Sequence, residues 1–391
     1  MKSNYVISWF HHFTKTIIFK DKKESMRKLH SLNKKKAING MHKLLYEYFN
    51  YFTFLKIIFK FIYVRVYFLF FTVLMRYFYF NKTNKKLKFW YIIKHNWYES
   101  FLGVELIKNI LWIELFENLF KHNNGYEKCI YLFENQSWEK ALINGYKRHN
   151  NNNILGYLHH TARFWDTRLY FHKDEVKDLN SSYLIMPNKI AVSGSKAKSS
   201  LIKSGYNESY LLEVEAIRYL SLIKTNQNNV KKNKDNLIIN QKILILGGYI
   251  SEINHFLLSE LLKIDKSKIN AHFDIKFHPG CSIDIKKYND LDLNVVNNNL
   301  SDIINRYNSV IITGDSSASI ESFFSNINTI VYINANTLNF NPLYPNPNIK
   351  FAVNAEDILR SLSEKNISDN SKELKNFLWL DNNLEKWKKI F

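Results

Sequence analysis

The stretch from Asn308 to Ile333, NSVIITGDSSASIESFFSNINTIVYI, limits the possible folds more than any other part of the chain. A β-branched run (Val310, Ile311, Ile312) stops at Thr313-Gly314-Asp315. Small hydroxyl residues follow (Ser316, Ser317, Ser319), then an apolar-periodic segment (Ile320, Phe323, Phe324) and a second β run, Thr329 to Ile333. Strand, tight turn, helix and strand in this order predict one βαβ unit of a parallel sheet. The N–H groups at the helix start, the positive end of its dipole and the hydroxyls together make an anion site. In open α/β sheets ligands gather at the carboxyl ends of strands, where this turn falls. The competing reading is structural, with Asp315 and Ser316 capping the helix.

The alternation extends upstream. Ser100 to Lys121 reads as one amphipathic helix, Lys128 to Phe133 as a buried strand, Glu134-Asn135-Gln136 as a turn and Trp138 to His149 as a helix. Further strands are expected at Ile154–Leu158, Lys189–Val192, Ser209–Val214, Lys242–Leu246 and His272–Phe277, with helices at Ser195–Lys203 and Ser251–Leu262. Closing helices are expected at Glu356–Leu362 and Leu374–Ile390. Strands alternating with helices imply parallel, doubly wound sheets. The polar segment 224–241 reads as a linker, which divides the chain into a basic, aromatic-rich helical segment 1–89, a Rossmann-like half 90–223 and a second Rossmann-like half 242–391. At 391 residues the chain is long enough for two such domains and an appendage.

The first hundred residues carry 20 Lys/Arg against four acids, and so most of the chain's excess of +20. Lys, Asn, Ile, Phe and Tyr are enriched together throughout, so a coding bias competes with selection for charge. Leu44 to Phe80 is dominated by Phe, Tyr, Leu and Ile, and its longest uncharged run is Val66 to Met75. That run is about half the ~20 residues a spanning helix needs. Lys56, Lys60, Arg65 and Arg76 do not share one helical face, which argues against simple spanning. A helical segment at an anionic membrane surface, flanked by Lys82, Lys85, Lys86 and Lys88, fits better; ordinary buried helices are the alternative.

Cys129 and Cys281 form no disulfide framework and sit beside apolar runs, as buried thiols do. His159-His160 suggests a metal, but no third and fourth ligand stands at a recognisable spacing, so none is expected. Gly247-Gly248 follows a strand without a G-x-G-x-x-G or Walker pattern, so neither a dinucleotide nor ATP is implied, and no cofactor is expected. Ser193-Gly194-Ser195 lacks the flanks of a hydrolase elbow.

Two α/β halves with an anion site in the second resemble the GT-B glycosyltransferase architecture, two Rossmann-like domains facing a cleft. His278-Pro279 after a strand, and Ser316-Ser317 after Thr313-Gly314-Asp315, resemble the "HP" and "SS" motifs of bacterial sialyltransferases and related enzymes that use CMP-sugars. Phe133 to Leu142, FENQSWEKAL, and Gly156 to Asp166, GYLHHTARFWD, resemble a family of bacterial surface-carbohydrate biosynthesis proteins, as does Leu338 to Leu343. Ser137 replaces that family's usual Pro, and His159 its common Gln. The likeness covers about Trp97 to Ile358.

The resemblance implies a glycosyltransferase of cell-surface polysaccharide assembly. It would carry an acidic sugar of nonulosonate or Kdo type from a CMP donor to a glycan or lipid-linked acceptor, at the cytoplasmic membrane face. His278, Pro279, Gly280, Thr313, Gly314, Ser316 and Ser317 would hold the donor phosphate. Glu134, at a strand end, is the candidate base, with His160 and Asp166 as runners-up. Asn135, Gln136 and Arg163 are candidate substrate contacts. The structural alternatives are that Glu134 caps the Trp138 helix or binds Lys140, and that Asp315 is a cap. A UDP-sugar transferase or UDP-sugar 2-epimerase keeps the same fold. A nucleic-acid-binding protein is the third reading, disfavoured because the aromatics form apolar runs rather than a platform alternating with Lys.

Overall fold

The computed structural model describes residues 7–11, 27, 31, 33, 40–77, 89–150, 153–159, 161, 163–179, 184–223, 241–281, 283–364 and 370–391. The chain is mixed α/β with parallel sheets and divides into two compact units. One unit comprises the residues up to Ile130, with Asn135–Leu155 and Ile185–Asn188. The other comprises Tyr131–Glu134, Gly156–Leu184 and Lys189–Phe391. The linker expected at 224–241 lies outside the described residues except for Gln241.

The first unit opens with an element the sequence reading missed. Strands β1 (Ile7–His11) and β2 (Gly40–Leu44) pair in parallel, where only helix was expected. Three helices follow: α1 (Tyr51–Met75), α2 (Phe89–Leu102) and α3 (Val104–His122). The single helix expected over Ser100–Lys121 is in fact the end of α2 and the whole of α3, divided at Gly103. That residue takes an extended conformation as the N-cap of α3. Strand β3 (Cys129–Leu132) leads to α4 (Ser137–His149). In α4 Gly145 lies against the Phe116 backbone, where a Cβ would come within 3.1 Å. The missing side chain lets α3 and α4 pack closely.

Strands β4 (Ile154–Leu158), β5 (Lys189–Val192) and β6 (Leu211–Glu213) complete a four-stranded sheet of order β3-β4-β5-β6. Its strand order is sequential and never reverses. Two helices intervene: α5 (Lys173–Val176) after β4 and α6 (Ser195–Lys203) after β5.

The second unit's main sheet is built from β7 (Gln241–Leu246), β8 (Ala271–Lys276), β9 (Asn294–Val295), β10 (Ser309–Thr313), β11 (Asn328–Tyr332) and β12 (Lys350–Ala352). Its order is β12-β11-β10-β7-β8-β9 and every pair is parallel. The helices are α7 (Ser251–Leu262), α8 (Leu300–Ile303), α9 (Ala318–Phe324), α10 (Ala355–Ser363), α11 (Ser371–Phe377) and α12 (Glu385–Lys388). Alternate strand residues serve opposite faces, as the two-residue period requires. Ile243, Ile245 and Ile311 pack on Leu257, Leu258 and Leu261 of α7, while Leu244, Leu246, Val310 and Ile312 pack with Ile303 and Ile304. Both faces are covered, which explains why these strands read as continuous apolar runs.

The closing helix expected over Leu374–Ile390 is two short ones. Between them Leu384 takes positive φ, and buried Glu215 accepts from the amides of Lys386 (2.7 Å) and Trp387 (3.0 Å), capping α12. A carboxylate at a helix start is favourable there.

Candidate functional site

Strand order in the second sheet reverses between β7 and β10. Chains leaving these adjacent strands at their carboxyl ends diverge, and a crevice opens between them. Because β8, β7 and β10 are neighbours and parallel, three turns share one edge of the sheet. They are His278–Cys281 after β8, Gly247-Gly248 after β7 and Thr313–Asp315 at the end of β10. The HP and SS turns therefore fall on the same edge, with the Gly-Gly turn between them.

Buried Asn254 of α7 ties these turns together. Its Oδ1 accepts from Gly248 N–H at 2.8 Å, and its Nδ2 donates to Gly248 carbonyl oxygen at 3.0 Å and to Cys281 Sγ at 3.4 Å. The turn after β8 is held by the Cys281 amide donating to the His278 carbonyl at 2.9 Å. His278 Nδ1 accepts from Gly280 N–H at 3.0 Å, and the Tyr249 ring stands edge-on to the imidazole at 5.4 Å. With Nδ1 accepting, a neutral imidazole carries its proton on Nε2, which is a donor.

Across the reversal, Gly248 is buried against β10: a Cβ there would collide with the side-chain oxygens of Asp315 and Thr313. Thr313 Oγ1 and Asp315 Oδ1 are buried and, among the described residues, have no hydrogen-bond partner. Asp315, expected to cap, does not do so through Oδ1; α9 begins after Ser317. Ser316 supplies local bonds instead. Its amide donates to the Thr313 carbonyl at 3.1 Å, and its Oγ accepts from Ala318 N–H at 3.3 Å. The free amide expected at Ser316 is thus already engaged in the turn. Ser317 Oγ accepts from Arg218 Nη2 at 2.7 Å.

Two cations face this edge. Half-buried Arg163 lies in the field of Asp166 and Asp315: burial lowers its pKa, and the two carboxylates oppose that. Arg218 reaches Ser317, and its charge partly offsets the rise that burial imposes on the Glu321 carboxyl of α9. Buried Tyr219, next to Arg218, is raised by burial as well.

The remaining expected residues have other surroundings. Asp166 is gripped by Arg168 through Nε–Oδ1 (2.8 Å) and Nη2–Oδ2 (2.6 Å) and also accepts from the Arg168 amide at 3.3 Å. Both oxygens are committed to shaping its loop, a poor arrangement for a base. Glu134 stands beside a histidine. Its carboxylate lies 3.7 Å from His159 Nε2, while Lys140 donates to the Ile185 carbonyl at 2.8 Å. In the first unit, the amides of Asn135 (3.0 Å) and Gln136 (2.9 Å) both donate to fully buried Glu139. This is a capping box, written in the sequence as Gln136 followed three residues later by Glu139. His160 lies outside the described residues. Cys129 and Cys281 are both half-buried, not fully buried as expected, and desolvation pushes the Cys129 thiol up to about 12.

Sequence reading missed Asn254, Arg218 and Glu321, and passed over Gly248. Only Gly247-Gly248 after a β run carried a local signal.

No protein-family model matches the chain, and no curated protein matches it. Among solved structures it is similar to a UDP-N-acetylglucosamine 2-epimerase from Rickettsia bellii, at 14% identity over 72% of this chain and 74% of that one (TM-score 0.44). It is also similar to the UDP-GlcNAc 2-epimerase of Neisseria meningitidis, solved bound to UDP-GlcNAc (9% identity, 98% and 97% covered, TM-score 0.45). A glycosyltransferase from Rickettsia africae is a further neighbour (14% identity, 71% and 80% covered, TM-score 0.40). All three likenesses are distant, and the geometry above stands without them.

Proposed function

We propose that the chain is an enzyme acting on a nucleotide-activated sugar, with UDP-sugars as its donors or substrates. The observation that carries this reading is the crevice at the β7–β10 reversal. There two buried side-chain oxygens, Thr313 Oγ1 and Asp315 Oδ1, have no partner among the described residues and stand beside a glycine backbone. Buried polar atoms without partners are costly, and a polar ligand relieves that cost. Thr313 Oγ1 can donate to such a ligand or accept from it, while the Asp315 carboxylate can only accept, as from a sugar hydroxyl.

When the bond between the sugar C1 and the phosphate oxygen breaks, the nucleotide leaves with the electron pair and its charge rises. His278 Nε2–H, Arg163 and Arg218 are the groups that would stabilise it. Glu134, beside His159, is the candidate proton acceptor. A glycan or lipid-linked acceptor and work at the cytoplasmic membrane face belong to the same proposal.

The CMP-sugar reading is second. It draws its support from the His278-Pro279 and Ser316-Ser317 turns sharing one sheet edge. Thermal unfolding with UDP, CMP and no ligand separates the two, since a native-state ligand at a hundred times its Kd adds about 2.7 kcal/mol. A larger shift with UDP is expected. Incubation with UDP-GlcNAc, followed by proton NMR, then separates release of UDP from epimerisation at C2. No shift with either nucleotide at millimolar concentration would overturn the proposal.

A further inference from the structure

Helix α1 is 25 residues long, contains three cations and no acid, and has two unlike sides. Its inner side packs within the first unit. Ile57 packs with Leu106 and Ile110 of α3, and Phe61 and Val64 pack against the same cluster. Asn118 of α3 donates to Thr53 Oγ1 at 2.8 Å, and buried Glu114 pairs with Lys60 and, at 4.0 Å, with Lys56. Arg65 donates to the Leu102 carbonyl at 2.8 Å, and Trp97 of α2 donates to Thr72 Oγ1 at 3.1 Å.

The opposite side is different. Phe52, Phe59, Val66, Leu69, Phe70 and Val73 are each between about half and three quarters exposed, and no polar side chain interrupts them. At about 100° per residue, Lys56 and Lys60 fall on one edge of the inner stripe and Arg65 on the other. The charges that seemed to break the apolar character therefore border this face instead of crossing it.

We infer that α1 lies flat in the surface of an anionic bilayer, its outer face sunk into the boundary between headgroups and acyl chains of one leaflet. Length and composition alone would also allow α1 to cross a membrane. Packing argues against crossing. α1 runs along α3, which carries Glu105, Lys108, Glu117 and Lys121 and packs on α4. An upright α1 would drag these charges into hydrocarbon, at several kcal/mol each by most scales. A flat α1 leaves them in water and buries only the apolar side. The border cations would then meet anionic headgroups. A second copy of the chain fits this face poorly, because it would set two rows of cations against each other. The inference is independent of which nucleotide the second unit takes.

The test uses the purified full chain in flotation with phosphatidylcholine vesicles, with and without phosphatidylglycerol, followed by washing in alkaline carbonate. The chain should float with the anionic vesicles, be weakened several-fold by their omission, and be released by carbonate. Phe59→Glu with Val66→Glu should abolish flotation while circular dichroism stays unchanged. If that variant does not fold, Phe59→Cys bearing an environment-sensitive dye should shift to the blue on anionic vesicles. Retention through carbonate would overturn the inference in favour of a spanning helix. Failure to float, with no blue shift or with a dimer in sedimentation that Phe59→Glu dissociates, would overturn it in favour of a protein-facing surface.

Discussion

Thr313→Val isolates the argument on which the candidate site rests. Thr313 is fully buried at the end of β10, and its Oγ1 has no partner among the described residues. Valine has nearly the same shape and the same preference for a strand, so the exchange removes one hydroxyl and little else. An unsatisfied buried hydroxyl costs about 1–3 kcal/mol, so the ligand-free variant should be more stable by about 1 kcal/mol. The same hydroxyl, if it meets a ligand, contributes about one hydrogen bond, and its loss should weaken UDP binding about tenfold, or ~1.4 kcal/mol. Urea unfolding with and without UDP reads both effects, and Thr313→Ser, which keeps the hydroxyl, should hold most of the affinity. A ligand-free Thr313→Val variant destabilised by more than ~1 kcal/mol would refute the reasoning, because the hydroxyl must then already have a partner. Unchanged UDP affinity would refute its second half.

Two further outcomes follow from neighbouring contacts. Asn254→Ala strips both bonds from the buried Gly248 peptide, and should cost about 2–4 kcal/mol. It should also raise hydrogen exchange across 247–256 in mass spectrometry, and unchanged exchange there would remove Asn254 as the organiser of the turns. Lys196, whose Nζ donates to the Pro342 carbonyl at 3.0 Å, is lowered by burial from 10.5 to about 8, against the opposing pull of Glu373. Between those two values the unfolded state binds the extra proton, so stability should rise with pH from about 8 towards 10. Lys196→Met should lack that rise when urea midpoints are compared at pH 7.5 and 9.5.

What the sequence discloses follows from how local each cause is. Ile154–Leu158, Lys189–Val192 and Ser251–Leu262 lie where their apolar periods end, because a short strand or a two-faced helix is written within its own residues. The break at Gly103 is hidden, since the apolar pattern runs on through it and a single glycine is tolerated inside many helices. The β1–β2 pair is hidden for another reason. Its strands start 33 residues apart in register, Ile7 against Gly40, and parallel pairing over such a gap leaves no turn signal.

The same distinction divides the site. His278-Pro279 and Ser316-Ser317 are legible as turns at strand ends. Their meeting on one edge depends on β7 lying between β8 and β10, a choice made by the whole sheet. Arg218 reaches Ser317 across 99 residues, and Asn254 answers a glycine six residues back only because the loop closes on Cys281. Most telling is Thr313. As a letter it is a β-branched residue ending a strand, no different from Thr329 at the start of the next one. Yet Thr329 donates its hydroxyl to the Ile327 carbonyl at 2.9 Å, whereas Thr313 is packed against Gly248 and its oxygen has no partner among the described residues. Among the described residues the fold satisfies one threonine within two positions and gives the other, at the topological reversal, no partner. A ligand at this edge would supply the missing partner, which is what Thr313→Val tests.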